Sequence, residues 1–408
     1  MRHIRSFTAV LLTFISLSFC TGAYAQKFTE LAQTPPMGWN TWNKFKCRIN
    51  EDLIRATADA MVTTGMKDAG YEYVNIDDCW HGERSLLGFI QPDPKRFPSG
   101  MKALADYVHS KGLKLGIYSD AGKTTCAGYP GSQGFEDQDA AMYAHWGIDY
   151  VKYDWCDTRG LDAKTAYTKM RDAIYKTGRP MVFSICEWGS NNPTQWAPEI
   201  GHAWRTTSDI YQCWDCYLGD PKTAALSVLQ ILDLQTGLRD FAGPGRWNDM
   251  DMLEVGNGIS DSQGRAHFTL WAMMNSPLIT GNDLRNMSAA TLSTLTNRAV
   301  IALNQDKLGI QALRVLRDGD IEIFAKPLAG GDWAIAFLNR GRQARTYSFN
   351  WVEQDIVDKL SKRELRFSKM IYQWQELWSN TKGSTAKKFD QVIPAEDVIV
   401  YRLTPSKH

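Results

Sequence analysis

Acidic side chains recur in this sequence at one kind of place, the downstream end of a short apolar run. Asp77 and Asp78 close residues 71–78, and Asp120 closes 113–120 with Tyr118 two positions before it. Asp154 falls at the end of 150–155 with Lys152 two positions earlier, and Glu187 at the end of 181–188. Asp209 ends 203–209 behind Arg205, and Asp249 and Asp251 close 246–252. Strand side chains alternate, so Lys152 and Asp154 point the same way. If that way is a barrel interior, the ammonium sits close to the carboxylate and favours its ionised form. A carboxylate held charged beside a substrate is what a nucleophile needs. Asp209 is the best candidate for a second carboxyl. Two carboxyl groups flanking a glycosidic bond are the minimum equipment for its hydrolysis. About 5–5.5 Å apart, they act by double displacement with retention. Asp154 would attack the anomeric carbon. Asp209 would protonate the leaving oxygen and then deprotonate water, so its pKa is expected to be the higher of the two.

The pair Asp77-Asp78 has two chemical readings. Neighbouring carboxylates can chelate the paired hydroxyls of a sugar, or they can bind a metal. Hydrolytic metal barrels usually need clustered histidines. The histidines here are His3, His81, His109, His145, His202, His267 and His408, and no His-x-His pair follows the first apolar run. The sugar reading is therefore preferred, and no metal or other cofactor is expected.

The elements that must position these groups follow from hydrophobic period. The runs named above, together with 37–42 (ending at Trp42) and 277–280, alternate with amphipathic stretches at 51–67, 101–110, 138–146, 163–176, 222–232, 266–274 and 289–303. Several of these stretches stop at glycine, as at Gly112, Gly147 and Gly178. Strand–helix units in such a series predict an α/β fold, a closed (β/α)₈ TIM barrel with its active site at the C-terminal strand ends. After Lys307 the pattern changes to short alternating segments at 321–325, 333–339, 346–351 and 398–403, separated by turns such as Gly330-Gly331. This predicts a C-terminal antiparallel β-sandwich domain over 308–408, following a catalytic barrel over 26–307. Residues 352–372 are charged and fit no single pattern.

A net charge of +1 gives no electrostatic reason to bind nucleic acid or an anionic membrane. Fifteen Trp, 16 Tyr and 16 Phe suit stacking on the apolar faces of sugars, although a large core also uses them. Arg2, His3 and Arg5 precede an apolar stretch and the small-x-small site Ala23-Tyr24-Ala25. This reads as a signal peptide over 1–25, cleaved near Ala25, with export to the periplasm or medium. Bulky Phe19 before Cys20 argues against lipidation, and no later segment is apolar enough to span a membrane. Without Cys20 seven cysteines remain, so at least one is unpaired or pairs between chains. Cys213 and Cys216 form a C-x-x-C that lacks further zinc ligands, which leaves a local disulfide or one bridged partner.

Residues 34–306 resemble the α-galactosidases of glycoside hydrolase family 27, most strongly at 73–80, 112–122, 152–154, 186–189, 204–209 and 247–258. The resemblance implies a retaining enzyme acting on terminal α-linked galactose in galacto-oligosaccharides or galactomannan. Asp154 then corresponds to the nucleophile and Asp209 to the acid/base. Asp77 and Asp78 correspond to ligands of the 4- and 6-hydroxyls, and Lys152 and Arg205 to ligands of the other ring hydroxyls. Trp42, Tyr118, Asp251 and Met252 correspond to the pocket wall, and Cys186 and Trp188 to the pair beside the 2-hydroxyl. The resemblance also implies the bridges Cys47–Cys79 and Cys126–Cys156. A Trp at 188 crowds an N-acetyl group and argues against an α-N-acetylgalactosaminidase. The Asp77-Asp78 pair favours galactose over a β-L-arabinopyranoside, which lacks the hydroxymethyl group. A sugar-binding protein without catalysis would be missing one of the two acids, and both are present. Three features depart from the family pattern: Trp155 beside the nucleophile, the cysteine-bearing stretch 211–217, and the insertion-like 352–372.

Overall fold

The computed structural model describes residues 27–220 and 224–406. The signal-peptide segment therefore lies outside the described residues. Eight parallel strands form one curled sheet: β1 Met37–Asn40, β2 Tyr73–Asn75, β3 Lys114–Asp120, β4 Tyr150–Asp154, β5 Val182–Cys186, β6 Ala203–Arg205, β7 Trp247–Asp249 and β8 Leu278–Thr280. Neighbours in sequence are neighbours in space, and β8 returns to pair with β1. The seam between β7 and β8 is held by a parallel bridge between Leu253 and Thr280. Every apolar run read from the sequence contributes one strand, and their buried side chains fill the interior. Close approach of strands needs glycine at Gly38, where a β-carbon would fall 2.4 Å from the Tyr73 carbonyl oxygen.

Helices α1 Glu51–Thr63, α2 Gly100–Ser110, α3 Glu136–Trp146 and α4 Ala163–Lys176 follow the first four strands. Their ends obey local chemistry. Asn50 and Asp162 cap α1 and α4 by accepting from the backbone N–H of Leu53 and Thr165 at 2.9 Å, and Gly147 stops α3 at φ 84°. Two helices depart most from the expectation. The stretch expected at 222–232 becomes helical only at α5, Val228–Gln235, because Ser227 and Gln230 form a capping box there. Residues 221–223 lie outside the described residues. The stretch 289–303 splits into α7, Ala289–Leu295, and α8, Arg298–Asn304, because Asn297 turns its side chain onto the N–H groups of Ala299 and Val300 and starts a new helix. Between α5 and α7, helix α6 (Asp261–Met273) is buried on nearly every side.

The reason lies in the C-terminal part. Strands β9 Leu313–Asp318, β10 Ile321–Pro327, β11 Trp333–Asn339, β12 Tyr372–Glu376, β13 Lys382–Ser384 and β14 Asp397–Pro405 form an antiparallel sheet in the order β9-β10-β11-β14-β12-β13. One face of it, with Ile323, Ile335, Phe337 and Leu403, packs into the domain's own core beneath Phe349, Trp351 and Phe389. The other face, with Phe324, Ala336, Leu338, Val398 and Val400, joins the barrel's core cluster and lies against α6. Strand β11 is buried at all seven positions, so its sequence reads as a continuous apolar run. Charged groups pin the contact: Arg340 and Arg314 reach Asp233 at 2.8 Å, and Arg265 pairs with Asp397. The ambiguous stretch 352–372 contains a small hairpin, Ile356–Asp358 with Arg363–Leu365, whose buried Asp358 pairs with Arg239 of the barrel part at 2.6 Å.

Candidate active site

The C-terminal ends of the strands surround a cavity lined by Trp42, Asn43, Asp77, Asp78, Tyr118, Cys126, Lys152, Asp154, Trp188, Arg205, Asp209, Asp251 and Met252. Strand register brings the groups side by side: Tyr118 lies opposite Lys152, and Asp120 opposite Asp154. Asp154 is buried and takes the Tyr118 hydroxyl on Oδ2 at 2.9 Å and the Trp155 N–H on Oδ1 at 3.1 Å. Asp209 sits four residues past β6 on the loop, its side chain 57 % exposed at the mouth. Arg205 joins the far wall together. Its guanidinium lies 3.1 Å from Asp209 and 2.9 Å from Asp251, and it donates to the Thr207 carbonyl at 3.0 Å.

Lys152 and Asp154 both face the cavity, as alternation requires, but Lys152 does not pair with Asp154. Its Nζ lies 2.8 Å from Asp77 Oδ2, which also accepts from Asn40 Nδ2 at 2.8 Å. Asp77 Oδ1 accepts the Asp78 N–H at 2.9 Å, and Asp78 Oδ2 accepts the N–H of Ala127 at 2.8 Å. Asp77 and Asp78 thus form a fixed pair of carboxylates whose orientation is set by backbone N–H groups and by the Lys152 and Asn40 side chains.

The order of proton affinities also differs from the expectation. Burial pushes the Asp154 carboxyl up to about 6; Lys152 works against that rise, and the charge on Asp209 adds to it. For Asp209, burial acts upward too, but Arg205, then Lys152, outweigh it and hold the carboxyl below its ordinary value. Asp209's electrostatic surroundings are those of a deep site although much of its side-chain surface is open. The direct Arg205 contact at 3.1 Å holds the Asp209 carboxylate in its charged form. Asp154 therefore holds its proton more tightly than Asp209. The cause is that burial outweighs the field of Lys152 at Asp154, while Arg205 outweighs burial at Asp209.

Of the remaining predicted residues, Cys186 is a buried free thiol that lines a second, deeper cavity with Ser184, Asp249 and Ile279 beneath the first. It does not reach the open pocket. Glu187 is a loop brace: its Oε2 accepts the Asn191 N–H at 2.5 Å. Asp120 braces as well, accepting the N–H groups of Gly122 at 2.7 Å and Cys156 at 2.8 Å. Trp155 stacks on Tyr167 with ring centroids 5.5 Å apart and lines no part of the cavity.

Both expected bridges, Cys47–Cys79 and Cys126–Cys156, are formed, and Cys213 is joined to Cys216. Among the described residues Asp120, Cys126 and Cys156 are the group clustered at metal-ligand spacing. The two sulfurs are bonded to each other and offer no thiolate. Sequence reasoning missed Asn43 and Cys126 as wall residues. Asn43 follows Trp42 directly and could have been found by the same strand-end logic; its amide is held by Glu254. Cys126 lies on a loop after β3 and carries no strand-end signal.

Residues 34–306 match the family model described as Alpha galactosidase A, and residues 318–403 match the Alpha galactosidase C-terminal beta sandwich domain. The chain is 61 % identical to Alpha-galactosidase A of Cellvibrio japonicus, over 94 % of this chain and 95 % of that one. It is 45 % identical to Alpha-galactosidase of Coffea arabica, over 92 % and 95 % of the two chains. The fold superposes on the crystal structure of alpha-galactosidase I from Mortierella vinacea with a TM-score of 0.86 at 37 % identity, covering 93 % of this chain and 98 % of that one. The chain belongs to the α-galactosidase family of glycoside hydrolases, family 27.

Proposed function

We propose that this glycoside hydrolase, an α-galactosidase, releases terminal α-linked D-galactose by double displacement, with Asp154 as nucleophile and Asp209 as acid/base. The observation that carries the reading is the placement of these two carboxylates in one pocket whose floor is the Asp77–Lys152 pair. Asp154 is fixed by two hydrogen bonds at the end of a strand, as an attacking group must be. Asp209 sits on the open side, where a leaving group departs and water enters. Attack by Asp154 on the anomeric carbon forms a carboxylate–sugar bond while the bond to the leaving oxygen breaks, and Asp209 supplies that oxygen's proton. Asp209 then takes a proton from water, which cleaves the sugar from Asp154.

Sugar binding reorders the proton affinities. A ring hydroxyl accepting from Arg205 draws that cation off Asp209, and the sugar itself covers the carboxylate. Both changes raise the Asp209 carboxyl in the complex. The row Asp77-Asp78 accepts hydroxyl protons at the far end of the ring, and Trp188 closes the wall. The three cystine bridges suit an oxidising compartment, in keeping with export after cleavage near Ala25. N-terminal sequencing of the exported protein tests that.

The deciding experiment compares hydrolysis of nitrophenyl α-D-galactopyranoside, β-L-arabinopyranoside and α-N-acetylgalactosaminide. A preference for the galactoside of about 100-fold, worth roughly 2.7 kcal/mol in the transition state, is the expected result. Preference for either other sugar would overturn the roles given to Asp77-Asp78 or to Trp188, and hydrolysis of none would overturn the catalytic reading.

A further inference from the structure

The segment after Asp209 is built more firmly than a surface loop needs to be. Ile210 is buried and forms a parallel bridge with Leu226, and its N–H donates to Asp251 Oδ2 at 2.8 Å. Tyr211 donates its N–H to the Leu226 carbonyl at 2.8 Å. The chain is therefore extended across Asp209–Tyr211, and side chains 209 and 211 project to the same side while Ile210 points inward. Beyond this point Cys213 is bonded to Cys216. Trp214 is buried with its indole N–H on the Arg340 carbonyl at 3.4 Å, and Gln212 packs against Gly258. This scaffold holds out an aromatic ring that is about half open to solvent: Tyr211 is 52 % exposed.

We propose that Tyr211 is the stacking platform for the sugar unit of the leaving group. The inference rests on the reading of Asp209 as acid/base, since the oxygen it protonates belongs to the leaving group. That group must therefore pass over whatever lies on Asp209's side of the chain. Two residues of extended strand span roughly 6.6 Å, which places the phenol beside the first sugar beyond the cleaved bond. A rigid, half-exposed aromatic ring with a polar edge suits the mixed apolar and hydroxylated face of a pyranose.

The test pairs two substrates. α-Galactosyl fluoride has no sugar in its leaving group, and a galactosyl-mannooligosaccharide has one. For Tyr211→Ala the expected kcat/KM falls about tenfold on the oligosaccharide, mainly through KM, and stays within about twofold on the fluoride. Tyr211→Phe and Tyr211→Trp are expected to keep the oligosaccharide rate, since each retains a ring. Equal loss on both substrates, or no loss on either, overturns the proposal, as does failure of the ring-retaining variants to match the wild type. Failure of the wild type to cleave the fluoride would instead sink the α-galactosidase reading on which the proposal stands.

Discussion

Lys152 gives its close contact to Asp77, just past the end of β2 and 2.8 Å away, and not to Asp154, its neighbour two residues along the same strand. The ammonium is therefore shared unequally: it orients the Asp77 carboxylate directly and acts on Asp154 only through the field. Burial then wins at Asp154, which is why its carboxyl rises to about 6.

The first prediction concerns pH. The reacting form has Asp154 ionised and Asp209 protonated, and in the free enzyme Asp154 holds its proton the more tightly, so kcat/KM should fall as pH rises through about 6, with its acid limb following Asp209 below the ordinary carboxylate value. Tyr118 donates to ionised Asp154, so Tyr118→Phe removes a bond that favours the charged form and should move the basic limb upward. The basic limb should lie higher in kcat than in kcat/KM, because the sugar raises Asp209 only in the complex. A pH series of both constants checks all three shifts.

The second concerns the two acids. Asp154→Gly should lose roughly 10⁴-fold or more in kcat. With azide and an activated galactoside it should give the β-galactosyl azide, because azide attacks once from the nucleophile's side. Asp209→Gly with azide should give the α-azide, since the covalent intermediate still forms. Proton NMR of the products distinguishes them, and the same anomer from both variants would refute the assignment.

The third concerns stability. Lys152→Met removes the cation from a buried pair and leaves Asp77 with an uncompensated charge. The cost should be about 3–5 kcal/mol, read as a drop in denaturation midpoint. A matched Asp77→Asn, Lys152→Met double variant should recover part of it.

The fourth concerns the 2-position. Trp188 has φ 58°, a backbone conformation that glycine adopts freely. Trp188→Gly should therefore keep the loop while opening the wall, raising the rate on α-N-acetylgalactosaminide relative to the galactoside. An unchanged ratio would mean that another group excludes the acetamido substituent.

The fifth concerns the bridge beside the nucleophile. Cys126–Cys156 closes a loop with a sequence separation of 30, so its removal should cost about 3–4 kcal/mol by the loop-entropy argument. Calorimetry of Cys126→Ser, Cys156→Ser measures it. Activity should fall further than stability alone explains, because Cys156 follows Asp154 by two residues.

The barrel strands were legible because each polar strand end interrupts an apolar run at a fixed place. Asp77, Asp78, Lys152 and Asp154 could be picked out by that logic alone. What stayed hidden were the choices between partners. Whether Lys152 meets Asp154 or Asp77 depends on how the residues past the end of β2 lie against β4 across the barrel, which no local pattern encodes. Cys186 pairs in register with Asp154, yet it faces the layer below, so its strand position gave the right neighbourhood and the wrong depth. The order of proton affinities failed for the same reason, since it follows from those pairings. The C-terminal strands read as alternating only in part, because the sheet they form is covered on both faces.

That two-sided burial has an architectural consequence. The sheet supplies the outer wall for α6, and α6 supplies the inner floor for the sheet, so neither has a solvent-ready surface to fall back on. The barrel is not a portable cassette. A shortened enzyme ending near Asp306 would bare a broad greasy flank around α6, and anyone grafting this catalytic unit onto another scaffold would first have to redesign that flank for water.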